Sequence, residues 1–352
     1  MQQPDVCIAG AGIIGLSLAL ELARRGARVT ILDRGPALAE ASTAAAGMLA
    51  AHDPFNPPPL QPLADLSLHL YPAFLDHIAA LSSLRVPFQT EITLQATRLP
   101  APNSLPASEL DILLPLHTIS GQHVTLLDEH SIDPRQLASA LEAAAHNTTI
   151  TVLTNTAVLS TRSSDTGITV ITSDDRVSAN FFVDCTGAWA TTFPDAVTPR
   201  KGQLLSVALP QPSPLPFVLR SEEIYIVPRT VGPNAGRAVI GATVEDVGFD
   251  KLLHPADIAR LHAQAAELLP YLADAPVLEQ WAGLRPATSD QLPLLGPHPS
   301  TSRHILATGH FRNGILLAPA TAQIIAALIV GESPDLDLAP FAPARFTSQP
   351  IL

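Results

Sequence analysis

The sequence predicts an α/β protein of two interleaved parts, one built on a parallel sheet and the other, of α+β type, on an antiparallel sheet. Three observations predict it. The chain opens with an apolar strand, a glycine turn, a helix and a second strand, all within the first 33 residues. Strand-like runs separated by proline-rich loops fill the stretch from Lys201 to Val244. A strand, a glycine turn and an apolar helix then return between His304 and Gly331.

The opening unit is the most specific. Asp5-Val-Cys-Ile-Ala9 leads into Gly10-Ala-Gly-Ile-Ile-Gly15, and Leu16, Leu18, Ala19, Leu20, Leu22 and Ala23 keep a helical apolar face as far as Gly26, a C-cap residue. Ala27-Arg-Val-Thr-Ile-Leu32 is a second strand ending at Asp33. A βαβ unit of about 30 residues with GxGxxG between its first strand and helix is a dinucleotide fingerprint. Its glycines serve the tight turn, the close approach of backbone to a pyrophosphate, and helix packing. The first part is therefore expected to be Rossmann-like, with Asp33 accepting from a ribose hydroxyl. Arg34 could pair with a 2′-phosphate, but Asp33 would repel that group, which favours FAD or NAD over NADP and leaves those two open.

Composition narrows the partners. With 352 residues, 47% of them hydrophobic and 15% charged, the chain is long enough for two domains around a large core. Its formal charge of -12 is repelled by nucleic acid and by anionic membranes. Cys7 and Cys185 each lie in an apolar strand-like run, as buried thiols of a reduced, cytoplasmic protein do, and neither suggests a metal. No export signal is read at the N-terminus. Gly314 to Gly331 approaches the length of a spanning helix, but Pro319 and Gln323 interrupt it and Glu332, Asp335 and Asp337 follow, so it reads as a buried core helix.

The remaining elements follow in order. Ala41 to Ala50 is a run of small residues that lets backbone come close to a ligand, or else an alanine-rich helix start. His52 to Pro62 is a proline-rich loop, and Ala64 to Leu81 a helix. Val86 to Thr97 suggests strands and Pro100 to Pro106 a loop. Pro134 opens a helix that runs to about His146. Thr149 to Ser160 and Gly167 to Thr172 are strand-like, and Phe181 to Trp189 is a strand emptying into a glycine turn. Ile224 to Pro228 and Arg237 to Val244 pair across a turn. Asp257 to Leu269 is a helix, and Gln280 to Pro286 brings Arg285 into an apolar setting. The division expected is residues 1–50, 130–200 and 290–340 in the nucleotide domain, and 51–129 and 201–289 in the substrate domain.

Four stretches together, GAGIIGLSLALELARRGARVTILDRG, STAAAGMLAAH, WAGLRPATSD and ATGHFRNGILLAPATA, closely resemble the glycine oxidase branch of the D-amino acid oxidase flavoproteins, and DEHSIDPRQL, YIVPR and GATVEDVGFD look like the same branch. The resemblance implies FAD, held noncovalently, since no cysteine stands near Arg285 or Arg312, where related sarcosine oxidases tether their flavin. It implies that Gly10, Gly12, Ile13, Ile14 and Gly15 meet the pyrophosphate, Asp33 and Arg34 the ribose, and Val158 the adenine. Ala41, Ser42, Ala46, Gly47 and Met48 would line the flavin side. His310, Phe311, Arg312, Asn313, Gly314, Ile315 and Leu316 would border the isoalloxazine ring, where a helix N-terminus favours negative charge.

For the substrate, Arg285 and Arg312 match the family's pocket arginines and Tyr225 its pocket tyrosine. A guanidinium fork fixes a carboxylate through two parallel bonds. The bland alternatives are a structural ion pair for Arg285, a brace for the flavin turn for Arg312, and a core position for Tyr225. The activity implied is oxidative deamination of a small amino acid, glycine first, by hydride transfer without a side-chain base, O2 being reduced to H2O2. A role in making the thiazole of thiamine is also implied. A sarcosine or D-amino acid oxidase or dehydrogenase is the nearer alternative, and a non-catalytic dinucleotide-binding module the more distant one. A homo-oligomer is expected. Residues 52–122 diverge most from the family, with prolines in place of an acidic helix, which leaves pocket access undetermined.

Overall fold

A computed structural model describes residues 3–98, 104–106, 123–190, 196–212 and 215–346. Its α-helices are α1 Ile13–Arg24, α2 Ala41–Ala44, α3 Gln61–Ser82, α4 Pro134–His146, α5 Pro255–Leu268 and α6 Gly314–Ile329. The first sheet runs in the order Leu294–His298, Thr301–Thr308, Phe181–Asp184, Val6–Ala9, Val29–Leu32, Thr151–Leu153. Every pair in it is parallel except the edge pair formed by Leu294–His298. Val6–Ala9 is buried along its whole length, as a strand with helices over it must be. The apolar face of α1 packs against α6 and α4 in one cluster that includes Leu16, Leu18, Leu22, Leu137, Leu141, Leu317 and Ile325. Helix α3 joins the same cluster through Leu63, Tyr71 and Ile78.

The contact between α3 and α6 has a specific chemical cause. Pro319 lies inside α6, has no N–H to donate, and leaves the carbonyl one turn earlier, that of Ile315, without its helical partner. The Tyr71 hydroxyl donates to that oxygen at 2.9 Å. Ser67 Oγ donates to Leu316 O at 2.6 Å and accepts from Ala320 N at 3.2 Å. Thus α3 repairs the proline defect, and the start of α6 is held from behind.

The second sheet is ordered Val277–Ala287, Thr198–Ala208, Arg237–Gly241, Tyr225–Arg229, Val218–Arg220, Thr93–Thr97, His123–Leu127, Leu105–Pro106. Its pairs are antiparallel apart from Val218–Arg220 against Thr93–Thr97. Side-chain alternation gives it two apolar faces. Leu205, Val207, Leu219, Ile226 and Ile240 pack under α5 through Ile258 and Leu261. Leu204, Val218, Val227 and Val239 pack on Ala46 and Met48 of the small-residue run. That second face brings the sheet against the nucleotide half.

Local differences from the sequence reading have plain causes. The run Thr149–Ser160 is two strands in two sheets, Thr151–Leu153 and Val158–Ser163, because the chain turns between them with Asn155 at φ 55. The strand expected to reach Val244 ends at Gly241. Ala41–Ala44 is a single helical turn, after which the run extends. Of the loop expected over 100–106 only 104–106 is described, and Leu105–Pro106 is there a short edge strand paired with His123–Leu127. Cys7 and Cys185 are free and buried. Among the described residues no helix is long and apolar enough to cross a membrane.

Candidate active site

One cavity of about 520 Å³ opens between the two sheets. One end of it is formed around the turn after the first strand. Gly10 has φ 100, and a Cβ there would meet the carbonyl of Cys185, so the turn after the first strand admits no other residue without displacement. Asp33 is pinned by two backbone donors, Ala11 N at 2.7 Å and Gly35 N at 2.9 Å. A carboxylate has about four lone-pair sites, so this leaves room for a further donor from the cavity. Ser42 Oγ accepts from Ile13 N at 3.0 Å and ties the small-residue run to the start of α1.

Gly10, Gly12, Ile13, Ile14, Asp33, Arg34, Ala41, Ser42, Ala46, Gly47, Met48 and Val158 all line this cavity, as do His310, Phe311, Arg312, Asn313, Gly314 and Ile315. Gly15 and Leu316 do not. A Cβ on Gly15 would strike the carbonyl of Gly10, so this glycine serves the packing of helix on strand. Leu316 is in the core. Arg34 borders the cavity but is engaged elsewhere: its guanidinium stacks 3.7 Å from the centre of the Trp189 ring and pairs with Glu40 at 3.1 Å.

At the other end stands the guanidinium of Arg285. Its Nη1 donates to Thr243 O at 3.1 Å and approaches Lys201 O at 3.5 Å. The accepting carbonyl is itself fixed, because Thr243 Oγ1 accepts from Gln203 N at 2.8 Å and donates to Glu245. Fully buried Lys201 pairs with the same Glu245 at 3.3 Å. Gly202 leaves space for the guanidinium, since a Cβ there would stand 2.5 Å from Arg285 Cζ. Tyr225 faces the cavity beside it. Burial raises the Tyr225 phenol above its ordinary value, with Arg285 partly offsetting this, so the hydroxyl keeps its proton as a donor.

Arg312 completes the wall, its side chain 35% exposed and its Nη2 3.7 Å from Asp53 Oδ2. Burial lowers its pKa, while Asp53 pulls it back. Behind it, His310 is buried with Nε2 3.0 Å from Thr321 Oγ1, and burial pushes its pKa down to about 3. Asn313 Nδ2 donates to Asn56 Oδ1 at 3.1 Å, tying the turn to the proline-rich loop.

The sequence reading missed Asp53, Arg220 and the Thr186–Trp189 turn, all of which line the cavity. The turn carried a signal, a glycine after an apolar strand. Asp53 and Arg220 carried none, being brought together from loop and strand by the fold.

The cradle fits a dinucleotide: glycines that any Cβ would block, an acid at the end of the second strand, and the N-terminus of α1. The family described as FAD dependent oxidoreductase matches residues 5–328. The chain is 31% identical to a glycine oxidase of Geobacillus kaustophilus, over 97% of each protein. It is 34% identical to the glycine oxidase of Pseudomonas aeruginosa, over 96% of this chain and 98% of that one. It is 37% identical to a bifunctional protein ThiO/ThiG of Trichormus variabilis over 98% of this chain, and spans only 55% of that relative's length. The crystal structure of the Geobacillus kaustophilus glycine oxidase superposes with a TM-score of 0.90 over 97% of this chain and 98% of that one, at 30% identity. The chain belongs to the FAD-dependent oxidoreductase family and is similar within it to the glycine oxidases.

Proposed function

We propose that this protein oxidises a small amino acid, glycine foremost, to its imine, which water hydrolyses to glyoxylate and ammonia, while O2 is reduced to H2O2. The observation that carries the reading is Arg285, anchored through one Nη on the carbonyl of Thr243 beside Tyr225, on the wall of the cavity whose far end is the Gly10 turn. Gly10 to Ile14, Asp33, the run Ala41–Met48 and the turn His310–Ile315 would hold FAD, without a covalent bond. Bound FAD supplies the hydride acceptor and the reaction with O2. The protein's own part is positioning. Arg285, with Tyr225 hydrogen-bonded beside it, grips the substrate carboxylate, Tyr225 donates to the same group, and Arg312 adds charge. Buried, neutral His310 is occupied by Thr321, so no side-chain base is assigned.

Similarity to a bifunctional ThiO/ThiG protein supports a role in supplying an imine to the thiazole of thiamine. The test is the absorbance spectrum of the purified protein before and after anaerobic addition of glycine, sarcosine or D-alanine. Bleaching of a yellow protein by glycine at the lowest concentration supports the reading. Faster bleaching by sarcosine or D-alanine reassigns the substrate, and bleaching by none of them removes the enzyme.

A further inference from the structure

The proline-rich loop after the flavin-side run places an acid against two arginines. Asp53 is set by its own turn, with Oδ1 accepting from Phe55 N at 2.9 Å and the main-chain oxygen accepting from Asn56 N at 2.9 Å. Its Oδ2 stands 3.8 Å from Arg220 Nη1 and 3.7 Å from Arg312 Nη2. The Asp53 and Arg220 side chains are 8% and 5% exposed, and both residues line the cavity. Arg220 also donates from Nε to Gln95 and lies 3.2 Å from Glu129 Oε2 through Nη2. Its two Nη atoms meet these acids at ion-pair distance, but no partner among the described residues is aligned for a hydrogen bond. Glu129 is buried behind the wall and does not line the cavity. Glu222 and Glu223 border the mouth but are exposed, and Glu223 pairs with Arg98.

The charges can be counted. Arg220, Arg285 and Arg312 bring three positive charges, and Asp53 and Glu129 two negative ones, which leaves one, the charge of a single carboxylate. In a water-poor cavity such a balance discriminates between ligands of different charge. We propose that Asp53 is a specificity-determining residue: by cancelling one guanidinium charge at the cavity wall it restricts the pocket to substrates with one carboxylate. Without it, Arg312 loses its acid and Arg220 keeps only Glu129, which leaves one more positive charge on the wall to take a second carboxylate. Whatever the state of Glu129, removing Asp53 adds one positive charge, so the direction does not depend on that group. This rests on the assignment of Arg285 as the carboxylate clamp.

The test is a charge series on the flavin-loaded protein. Acetate and malonate, with one and two carboxylates, are titrated while the flavin absorbance is followed, in the wild type and in Asp53→Asn and Arg220→Met. Asp53→Asn is expected to shift the ratio of the two dissociation constants toward malonate by about tenfold or more, the effect of roughly one added ionic contact. Arg220→Met is expected to shift it the other way, and decides the matter if Asp53→Asn does not retain flavin. Asp53→Glu should restore the wild-type ratio. A loop that matters only for folding would weaken both ligands alike, so a ratio unchanged within about twofold overturns the role of Asp53. Wild-type flavin that neither acetate perturbs nor glycine reduces overturns the clamp on which it rests.

Discussion

Gly202→Ala isolates the geometry of the proposed clamp from its charge. Gly202 lies inside a strand and does not have a positive φ, so alanine brings no backbone strain. Its Cβ, however, would stand 2.5 Å from Arg285 Cζ, where carbon contacts need ~3.5 Å or more, so the guanidinium must move by about 1 Å. The moving group is the end of a long side chain, and the fold should absorb the change within about 1 kcal/mol. A displaced fork keeps its charge but loses one of two parallel bonds to the substrate carboxylate. A hydrogen bond to a charged group contributes about 1.5–3 kcal/mol, so the apparent KM for glycine should rise about 10- to 150-fold. Steady-state oxidation of glycine gives KM, while a thermal melt and the flavin-to-protein ratio report folding and loading. Arg285→Lys, which also keeps charge without the fork, should cost about as much, and the double variant less than the sum. An unchanged KM in folded, flavin-loaded Gly202→Ala would refute the reasoning, as would loss of flavin with glycine affinity intact.

Three other outcomes are expected. Gly10→Ala, which forces a Cβ onto the carbonyl of Cys185 at φ 100, should give protein that is insoluble or free of flavin, read from its absorbance. Tyr71→Phe should leave the buried carbonyl of Ile315 without a donor and lower stability by about 1–3 kcal/mol, measured by denaturant unfolding. His310 stays neutral in the folded protein down to about 3 against an ordinary value of 6.5, so the unfolded chain binds a proton first as pH falls. Stability that His310 contributes above pH 6.5 is therefore lost between about 6.5 and 3, and His310→Gln should flatten the fall of melting temperature with acid over that window while leaving pH 7–9 unchanged.

What could be read in the sequence was whatever a short stretch determines by itself. The βαβ opening is local, since turn, helix face and terminal acid fall within thirty-odd residues. The start of helix α4 was visible because Pro134 opens it, and Asp133 caps it through Arg135 N at 3.0 Å. The split of 149–160 was hidden because its turn uses Asn155 and not glycine. Arg285 and Arg312 were found through stretches that resemble a family. Arg220 follows Val218 and Leu219 as the last residue of a buried strand, and Asp53 precedes a proline in a loop; neither position differs locally from many that do nothing. Their meaning lies in one oxygen atom reached by both guanidiniums, and no window of sequence contains that.

The same reasoning explains why the two arginines on the proposed substrate wall of the cavity differ. Arg285 issues from the long edge strand Val277–Ala287, paired along its length with Thr198–Ala208, and its Nη1 is bonded to a carbonyl that is fixed in turn by Thr243, Gln203, Glu245 and buried Lys201. Arg312 issues from a turn, is 35% exposed, and meets its acid at 3.7 Å without a hydrogen bond. A donor fixed by hydrogen bonds can hold a ligand within the narrow range that hydride transfer requires, whereas one held only by an ion pair contributes charge over a wider range of positions. Loss of Arg312 should therefore weaken binding with less effect on turnover of bound glycine, and loss of the Arg285 fork should reduce both. A KM-against-kcat split in the opposite sense between Arg312→Lys and Arg285→Lys would reverse the two roles.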